Sequence, residues 1–197
     1  MITDIVLVVA LALLIGMYVS WRAGRIDRLH ARVEMARAAL DVTLLRRSSV
    51  ALELATSGLL DPATSLLLAA AVHGTRSTPP GGSGGVVPPG EPSGDRPRDL
   101  AESDLTRALR AAFSQPGFRT SLSGKEGADE LLAEVEAAAH QVFLARKFYN
   151  DVVAATREAR RRPLARVLRL SGKAKTPGFF EMDDFLVAEK SGASLGL

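Results

Sequence analysis

Residues 5–21 read IVLVVALALLIGMYVSW, a run of seventeen residues without a charged side chain. A helix of this length is about 26 Å long, slightly shorter than the ~30 Å hydrocarbon core of a bilayer. Tyr18 and Trp21 lie at its downstream end, and aromatic residues are common at a membrane interface. The run therefore predicts a transmembrane anchor over residues 1–21.

Two other interpretations of this run fit less well. A core helix usually has a polar face, and the run has none. A cleaved signal peptide has a basic start and a cleavage site with small residues, whereas this chain starts MITD and the run ends VSWR. No cysteine follows the run, so a lipoprotein anchor is excluded.

Charge on the two sides of the run predicts its orientation in the membrane. Upstream, Asp4 is the only charged side chain. Four arginines follow in one short segment: Arg22, Arg25, Arg28 and Arg32. Because basic residues are retained on the cytoplasmic side, we expect a cell-membrane protein with its amino terminus outside and its body in the cytoplasm.

Composition limits the remaining chain to a few classes. About 150 residues beyond the anchor suffice for one folded domain. The net charge is +3, so the chain is mildly basic. Because cysteine is absent, disulfides, zinc–thiolate sites and cysteine nucleophiles are excluded. Aromatic residues make up 5% of the chain, which is low for an RNA-stacking surface.

The first half of the body is predicted at residues 22–73. Apolar residues spaced three and four apart form one face of a helix: Ile26, Leu29, Val33, Ala36 and Leu40. This seam predicts one long helix over residues 22–57, ended by Gly58, and residues 44–47 are expected to interrupt the seam but not the helix. Asp61 as N-cap before a proline then predicts a short apolar helix over residues 62–73, buried among other helices.

The second half of the body follows a linker at residues 74–98. This linker contains seven glycines and six prolines, which predicts a disordered segment. Residues 99–181 contain a helix that begins near Asp99, with Asp99 or Ser103 as its cap. A second long helix runs over residues 127–162, and its seam repeats for nearly four heptads: Leu131, Val135, Ala138, Val142, Ala145, Tyr149, Val152 and Thr156.

These elements predict an all-α fold. The amino-terminal transmembrane helix would continue into an antiparallel four-helix, coiled-coil-like bundle with a disordered Gly/Pro-rich insert. Residues 182–197 would form a flexible tail.

A search for reactive groups finds no catalytic constellation. His30, His73 and His140 lie on three different predicted helices without metal-ligand spacing, and the glycine-rich stretch lacks the Lys-Ser/Thr of a phosphate loop. We therefore expect a protein that is not an enzyme and has no cofactor, metal site or catalytic residue.

A basic rim is the main electrostatic feature. Its members lie at the start of the first long helix and at or after the end of the second: Arg22, Arg25, Arg157, Arg160, Arg161, Arg162, Arg166 and Arg169. The rim is either a solvated helix end, where basic side chains suit the exposed carbonyl groups of the helix C-terminus, or a surface that binds anionic lipid headgroups beside the membrane. Nucleic acid is not an expected partner, because no groove-reading motif accompanies these charges.

Three segments of the chain resemble the LemA family. Residues 32–47, RVEMARAALDVTLLRR, are similar to that family's R-x-V-x-x-A-x-x-x-I-D-V-x-L-x-R-R run. Residues 145–150, ARKFYN, are similar to its A-R-x-F/Y-Y-N signature, and Pro163 followed by GFFE at residues 178–181 to its ending. The resemblance covers about residues 1–60 and 100–181. It implies a single-pass membrane protein with a helical-bundle body and no established catalytic residues.

Six residues of these segments form a candidate interhelical polar cluster: Asp41, Arg46, Arg47, Arg146, Tyr149 and Asn150. The Tyr149 hydroxyl needs a partner, and Asp41 is a candidate. The cluster either fixes the register of the helices or binds a ligand or partner. Two functions follow: a LemA-like interaction or scaffold protein with unknown protein partners and oligomeric state, or an anionic-lipid-sensing or envelope-stress regulator that acts through the basic rim.

Overall fold

A computed structural model describes residues 2–78, 96–161 and 176–183, without the side chains at positions 2, 12, 15, 19–27 and 96. Every regular element in these residues is a helix, which confirms the all-α prediction. Five helices follow in order: α1 (Ile2–Thr56), α2 (Pro62–Ser77), α3 (Arg96–Phe113), α4 (Phe118–Leu122) and α5 (Ala128–Arg161).

Helix α1 is unbroken from the apolar run into the body, because no proline interrupts it. Its inner seam is buried along the body and includes Leu40 and Leu54. The predicted interruption at residues 44–47 is wrong, since Leu44 and Arg47 are 1% and 3% exposed and continue the seam. After α1, Gly58 has a positive φ of 73°, which suits the predicted helix end.

The apolar run is part of α1, and its described side chains are not packed into the body. The large apolar side chains from Ile5 to Tyr18 that the structure describes are 44–70% exposed. No helix in the described part of the chain is long and apolar enough to cross a membrane. Several side chains of residues 5–21 lie outside that part, and the anchor over residues 1–21 stays a prediction.

The ends of the predicted linker are helical, which corrects its limits. Asp61 caps α2 as expected by accepting two backbone N–H bonds, but α2 extends to Ser77. Helix α3 begins three residues before Asp99, so neither Asp99 nor Ser103 is its cap. In the added turn of α3, Arg98 has a partner in the body, the Asp41 carboxylate on α1. Residues 79–95 lie outside the described chain.

Short turns connect α3 to α5. Gly117, with a φ of 76°, follows the end of α3, and α4 then places two buried apolar side chains, Phe118 and Leu122, against the body. Helix α5 matches its predicted range closely. Its seam is carried by Val153, which is fully buried, rather than by the half-buried Val152.

Helices α1 and α5 pack against each other in opposite directions. The Arg46 guanidinium lies 3.4 Å from the Gln141 side-chain oxygen, and the Arg37 guanidinium lies 5.7 Å from the Tyr149 ring centre. Two apolar clusters form the core of the bundle. One cluster joins the C-terminal part of α1 to α2, α3, α4 and the start of α5. The other cluster joins the middle of α1 to α5 and to Phe180.

Candidate functional site: a polar seam beneath the C-terminal segment

A buried ion pair joins α1 to α3. Arg47 occupies a seam position of α1 and donates to the Glu102 carboxylate at 2.6 Å. The same guanidinium donates to the Glu102 carbonyl at 3.1 Å and to the Thr106 hydroxyl at 2.9 Å. The side chains of Arg47 and Glu102 are each 3% exposed. Both charges are therefore removed from water and neutralised by each other.

Burial raises the pKa of Glu102, and the neighbouring Arg47 guanidinium opposes that rise. Two effects therefore compete at this carboxyl group. Desolvation disfavours its charged form, whereas the cation and its hydrogen bond favour it. Loss of Arg47 would remove the favourable part and leave only the cost of burial.

A second ion pair lies one to two turns along the same interface. Arg98 donates to an Asp41 carboxylate oxygen at 2.7 Å, and Arg37 approaches the same oxygen at 3.7 Å. Arg98 is 5% exposed although it was expected in the disordered linker. The first turn of α3 is therefore fixed to α1 by this contact.

The C-terminal segment, residues 176–183, crosses this interface without regular secondary structure. The side-chain amide of Asn150, on α5, makes two hydrogen bonds to the main chain of one residue of this segment, Phe180. The Asn150 Nδ2 donates to the Phe180 carbonyl at 3.0 Å, and the Phe180 N–H donates to the Asn150 Oδ1 at 2.9 Å. The amide therefore pairs with the backbone as a neighbouring β-strand would.

Side chains from both sides hold the rest of the C-terminal segment. From α5, the Tyr149 hydroxyl donates to the Gly178 carbonyl at 2.9 Å, and Arg157 Nε donates to the Pro177 carbonyl at 2.8 Å. From α3, Asp99 and Ser103 accept the N–H groups of Glu181 and Asp183. These bonds recognise main-chain groups, so they fix the path of the segment and place no demand on most of its side chains.

Phe180 anchors the C-terminal segment in the core. Its ring is 1% exposed and belongs to the cluster with Leu40, Val142 and Tyr149. The next aromatic residue, Phe179, carries the Arg157 guanidinium 4.5 Å from its ring centre, a cation–π distance. The segment is thus bound by one buried ring and a series of polar contacts.

The six residues of the predicted interhelical polar cluster do not form one cluster in the structure; they divide into three groups. Tyr149 and Asn150 bind the C-terminal segment, so the expected bond from the Tyr149 hydroxyl to Asp41 is wrong. Arg47 and Asp41 face α3. The other two are peripheral: Arg46 is exposed beside Glu134 at 3.5 Å, and Arg146 is half-buried on α5. Their long side chains reach whichever helix lies nearest, which the sequence did not specify.

The basic rim is only partly visible. Arg157 is half-buried against the C-terminal segment, Arg160 donates to Thr176 at 3.2 Å, and Arg161 is exposed. Five members lie outside the residues or side chains that the structure describes: Arg22, Arg25, Arg162, Arg166 and Arg169. Of the described members, Arg157 and Arg160 both bond to the C-terminal segment.

Sequence reasoning missed the α3 half of the site. Arg98 and Glu102 precede Leu105 and Leu109 at spacings of four, three and four, so they lie on the apolar seam of α3. A charged residue on such a seam indicates a buried partner. Arg47 gave the same signal on α1, with the opposite sign to Glu102.

Comparisons with known proteins do not identify the site. No family model, curated protein or solved structure matches this chain. Within the described ranges, no group of three or more candidate ligand residues could hold a metal ion. The site has two functions that its geometry shows: it binds the C-terminal segment and it pairs opposite charges between helices.

Asn150→Ala is expected to destabilise the protein by about 2 kcal/mol, because two partly buried main-chain groups of Phe180 lose their partner. The amide N–H of Phe180 should lose protection in hydrogen exchange, measured by mass spectrometry on the full chain in detergent. Gln141→Ala removes an exposed amide of the same helix and should leave that protection unchanged. Full protection in the Asn150 variant would show that Phe180 alone holds the segment.

Asp99 makes stability depend on pH. Burial raises its pKa to about 6, while the Glu181 N–H bond and the nearby Arg37 oppose the rise. Its Oδ1 is buried without a hydrogen-bond partner among the described residues. A raised folded-state pKa favours the protonated form in the fold. Its stabilising effect is therefore complete below pH 4 and is lost as the pH rises through about 6.

Asp99→Asn keeps this side chain neutral at every pH. Relative to the wild type, it should gain about 1 kcal/mol of stability between pH 4.5 and pH 7.5, a value reduced for solvent screening. Thermal unfolding at several pH values measures the difference. Ala111→Ser, on the exposed side of α3, changes no charge and is the control, so its pH profile should run parallel to that of the wild type. Parallel curves for wild type and Asp99→Asn would contradict the assignment.

Proposed function

We propose that this chain is a LemA-like single-pass membrane protein whose non-catalytic helical body is an interaction or scaffold module. The continuity of α1 is the observation that supports this proposal. One helix carries the apolar run at its start and supplies the inner seam of the bundle at its end. A rigid connection of this kind holds a folded body at a fixed angle and distance from its anchor.

The exposed apolar side chains support the membrane part of the proposal. Leu7, Val8 and Leu13 are 65–69% exposed, and they point to different sides of the helix. A water-soluble protein rarely exposes a continuous apolar surface of this extent. A helix that is apolar on all sides is typical of a membrane span. The anchored bundle would then be the predicted four-helix arrangement, with α1, α2, α3 and α5 as its members.

The buried polar contacts between α1, α3 and α5, which we call the polar seam, support the non-catalytic part of the proposal. Its charges pair with each other, and its hydrogen-bonding side chains hold the C-terminal segment. Such contacts fix the register of the helices, which is a structural role. Asp99 has a raised pKa, but the Glu181 backbone occupies one of its oxygens.

Membrane fractionation tests the anchor. The full chain should remain in the high-speed pellet after carbonate extraction, whereas Leu11→Arg/Leu14→Arg should move to the supernatant, because each central charge costs about 2.5–3.5 kcal/mol. Leu66→Arg/Leu67→Arg changes two exposed leucines on α2 and should stay in the pellet. A wild-type chain in the supernatant would refute the proposal.

Orientation and partners need separate measurements. A reporter fused after Leu197 should be active in its cytoplasmic form and inactive as alkaline phosphatase. Activity of the phosphatase fusion would place the body outside. Crosslinking in intact cells followed by mass spectrometry would then name the protein partners, which decide the process that the body serves.

A second candidate function is recognition of anionic lipid by the basic rim. The antiparallel packing supports it: at the helical rise, the end of α5 at Arg161 lies within about one turn of the end of the apolar run. In neutral detergent, added phosphatidylserine should raise Tm more than phosphatidylcholine, and high salt should remove the difference. Equal shifts with both lipids would exclude this function.

A further inference from the structure

The side of α1 that faces away from the core carries a second apolar stripe. We call the following exposed residues the outward stripe: Ala31, Met35, Ala38, Val42, Leu45 and Ser49. They are spaced four, three, four, three and four apart, and the three large side chains are 59–65% exposed. On a helix this stripe lies opposite the inner seam of Ala36, Leu40 and Leu44. Helix α1 therefore has two apolar faces, and the described body covers one of them.

The spacing of the outward stripe specifies what can cover it. A repeat of 3.5 residues fits another helix with the same repeat, packed at a shallow angle. In heptad terms Met35, Val42 and Ser49 occupy a positions, and Leu45 occupies a d position. Within a parallel coiled coil, a β-branched residue at a with leucine at d, as at Val42 and Leu45, favours two strands.

The residues beside the stripe carry opposite charges on its two flanks. The g positions hold Glu34 and Asp41, and the e positions hold Arg32 and Arg46. In a parallel pair of identical helices, a g residue faces the e residue five positions later on the other helix. Asp41, which keeps its bond to Arg98 and is 25% exposed, would also lie beside the partner's Arg46. An antiparallel pair would instead place acid beside acid and base beside base.

We infer that the outward stripe is a parallel self-association seam, covered by the same stripe of a second copy of this chain. The inference rests on the proposed function in one respect, which is that both chains are anchored in the same membrane. Two anchored chains share their orientation and are concentrated in one plane, which a stripe of fewer than three heptads needs for stable pairing. Arg46 is available for the partner because its contact with Glu134 is exposed and 3.5 Å long.

Single cysteines test the seam directly, because the chain contains none of its own. Val42→Cys places thiols at an a position, and a positions face each other across a parallel pair. Copper–phenanthroline oxidation of membranes should convert this variant to a disulfide-linked homodimer. Leu66→Cys, on the exposed face of α2, is the matched control and should remain monomeric.

A charge change at an exposed e position tests the direction of pairing. Ala39 would face the partner's Glu34 in the parallel pair. Ala39→Arg adds two attractive contacts per dimer and Ala39→Glu adds two repulsive ones, so the dissociation constants should differ by about tenfold. Analytical ultracentrifugation in detergent measures this difference. Equal constants, or tighter pairing of Ala39→Glu, would overturn the parallel assignment.

The crosslinking result separates this inference from the proposed function. Val42→Cys homodimers in the pellet support both, and homodimers in the supernatant support the seam but refute the anchor. A yield no higher than that of Leu66→Cys overturns the seam. A disulfide to a different protein overturns it as well, because the stripe would then be covered by another partner.

Discussion

Glu102→Ala is expected to destabilise the protein by about 3–5 kcal/mol, the largest effect of any single polar substitution in the described chain. Arg47 would keep its buried position between α1 and α3 without a counter-ion. Its remaining bonds, to Thr106 and to a main-chain carbonyl, neutralise no charge. Chemical unfolding of the full chain in detergent, followed by helical circular dichroism, measures the loss.

The neighbouring residue provides a matched control. Arg46 is next to Arg47 and pairs with Glu134, but both side chains are about half exposed. Arg46→Ala should therefore cost at most about 1 kcal/mol. If the two substitutions cost the same, the buried pair would not be the reason for the effect.

A double variant separates the charge from the volume at this position. Arg47→Met/Glu102→Leu removes both charges and keeps apolar side chains of similar length. It should recover most of the stability that Glu102→Ala loses, because no uncompensated charge remains. A double variant as unstable as the single one would show that the ion pair itself stabilises the native packing.

Phe180→Ala is expected to cost about 3–5 kcal/mol and to release the C-terminal segment. The ring is 1% exposed and packs against α1 and α5, so its removal opens a cavity in that cluster. The polar bonds of Asn150 and Tyr149 are then too weak to hold the segment alone. Unfolding measures the stability, and limited proteolysis should cut near residues 176–183 much faster than in the wild type.

Phe148 is the control for this substitution. It lies two residues before Asn150 on α5 but faces outward and is 60% exposed. Phe148→Ala should change stability by less than about 0.5 kcal/mol and leave the proteolysis pattern unchanged. A comparable loss for Phe148→Ala would mean that this outward side of α5 is covered in the native assembly.

Sequence alone determined the helices other than α4 and most of their limits. Asp61 started α2, Gly58 followed the end of α1, and the four-three spacing of α5 marked its buried side, with Ala145 and Val152 only half-buried. These features depend on residues a few positions apart, so local preferences decide them. The apolar run and the resemblance to the LemA family also come from the sequence. The membrane anchor and the family membership that they indicate remain predictions.

Only the tertiary structure decided which polar residues meet. The three contacts that define the site join Arg47 to Glu102, Arg98 to Asp41, and Asn150 to Phe180. They connect residues 55, 57 and 30 positions apart in the chain. A charged side chain on an apolar seam indicates that a partner exists, but the neighbouring helix and its register determine which one. That is the physical reason why Asp41 bound Arg98 instead of Tyr149, and why the C-terminal segment folded onto Asn150.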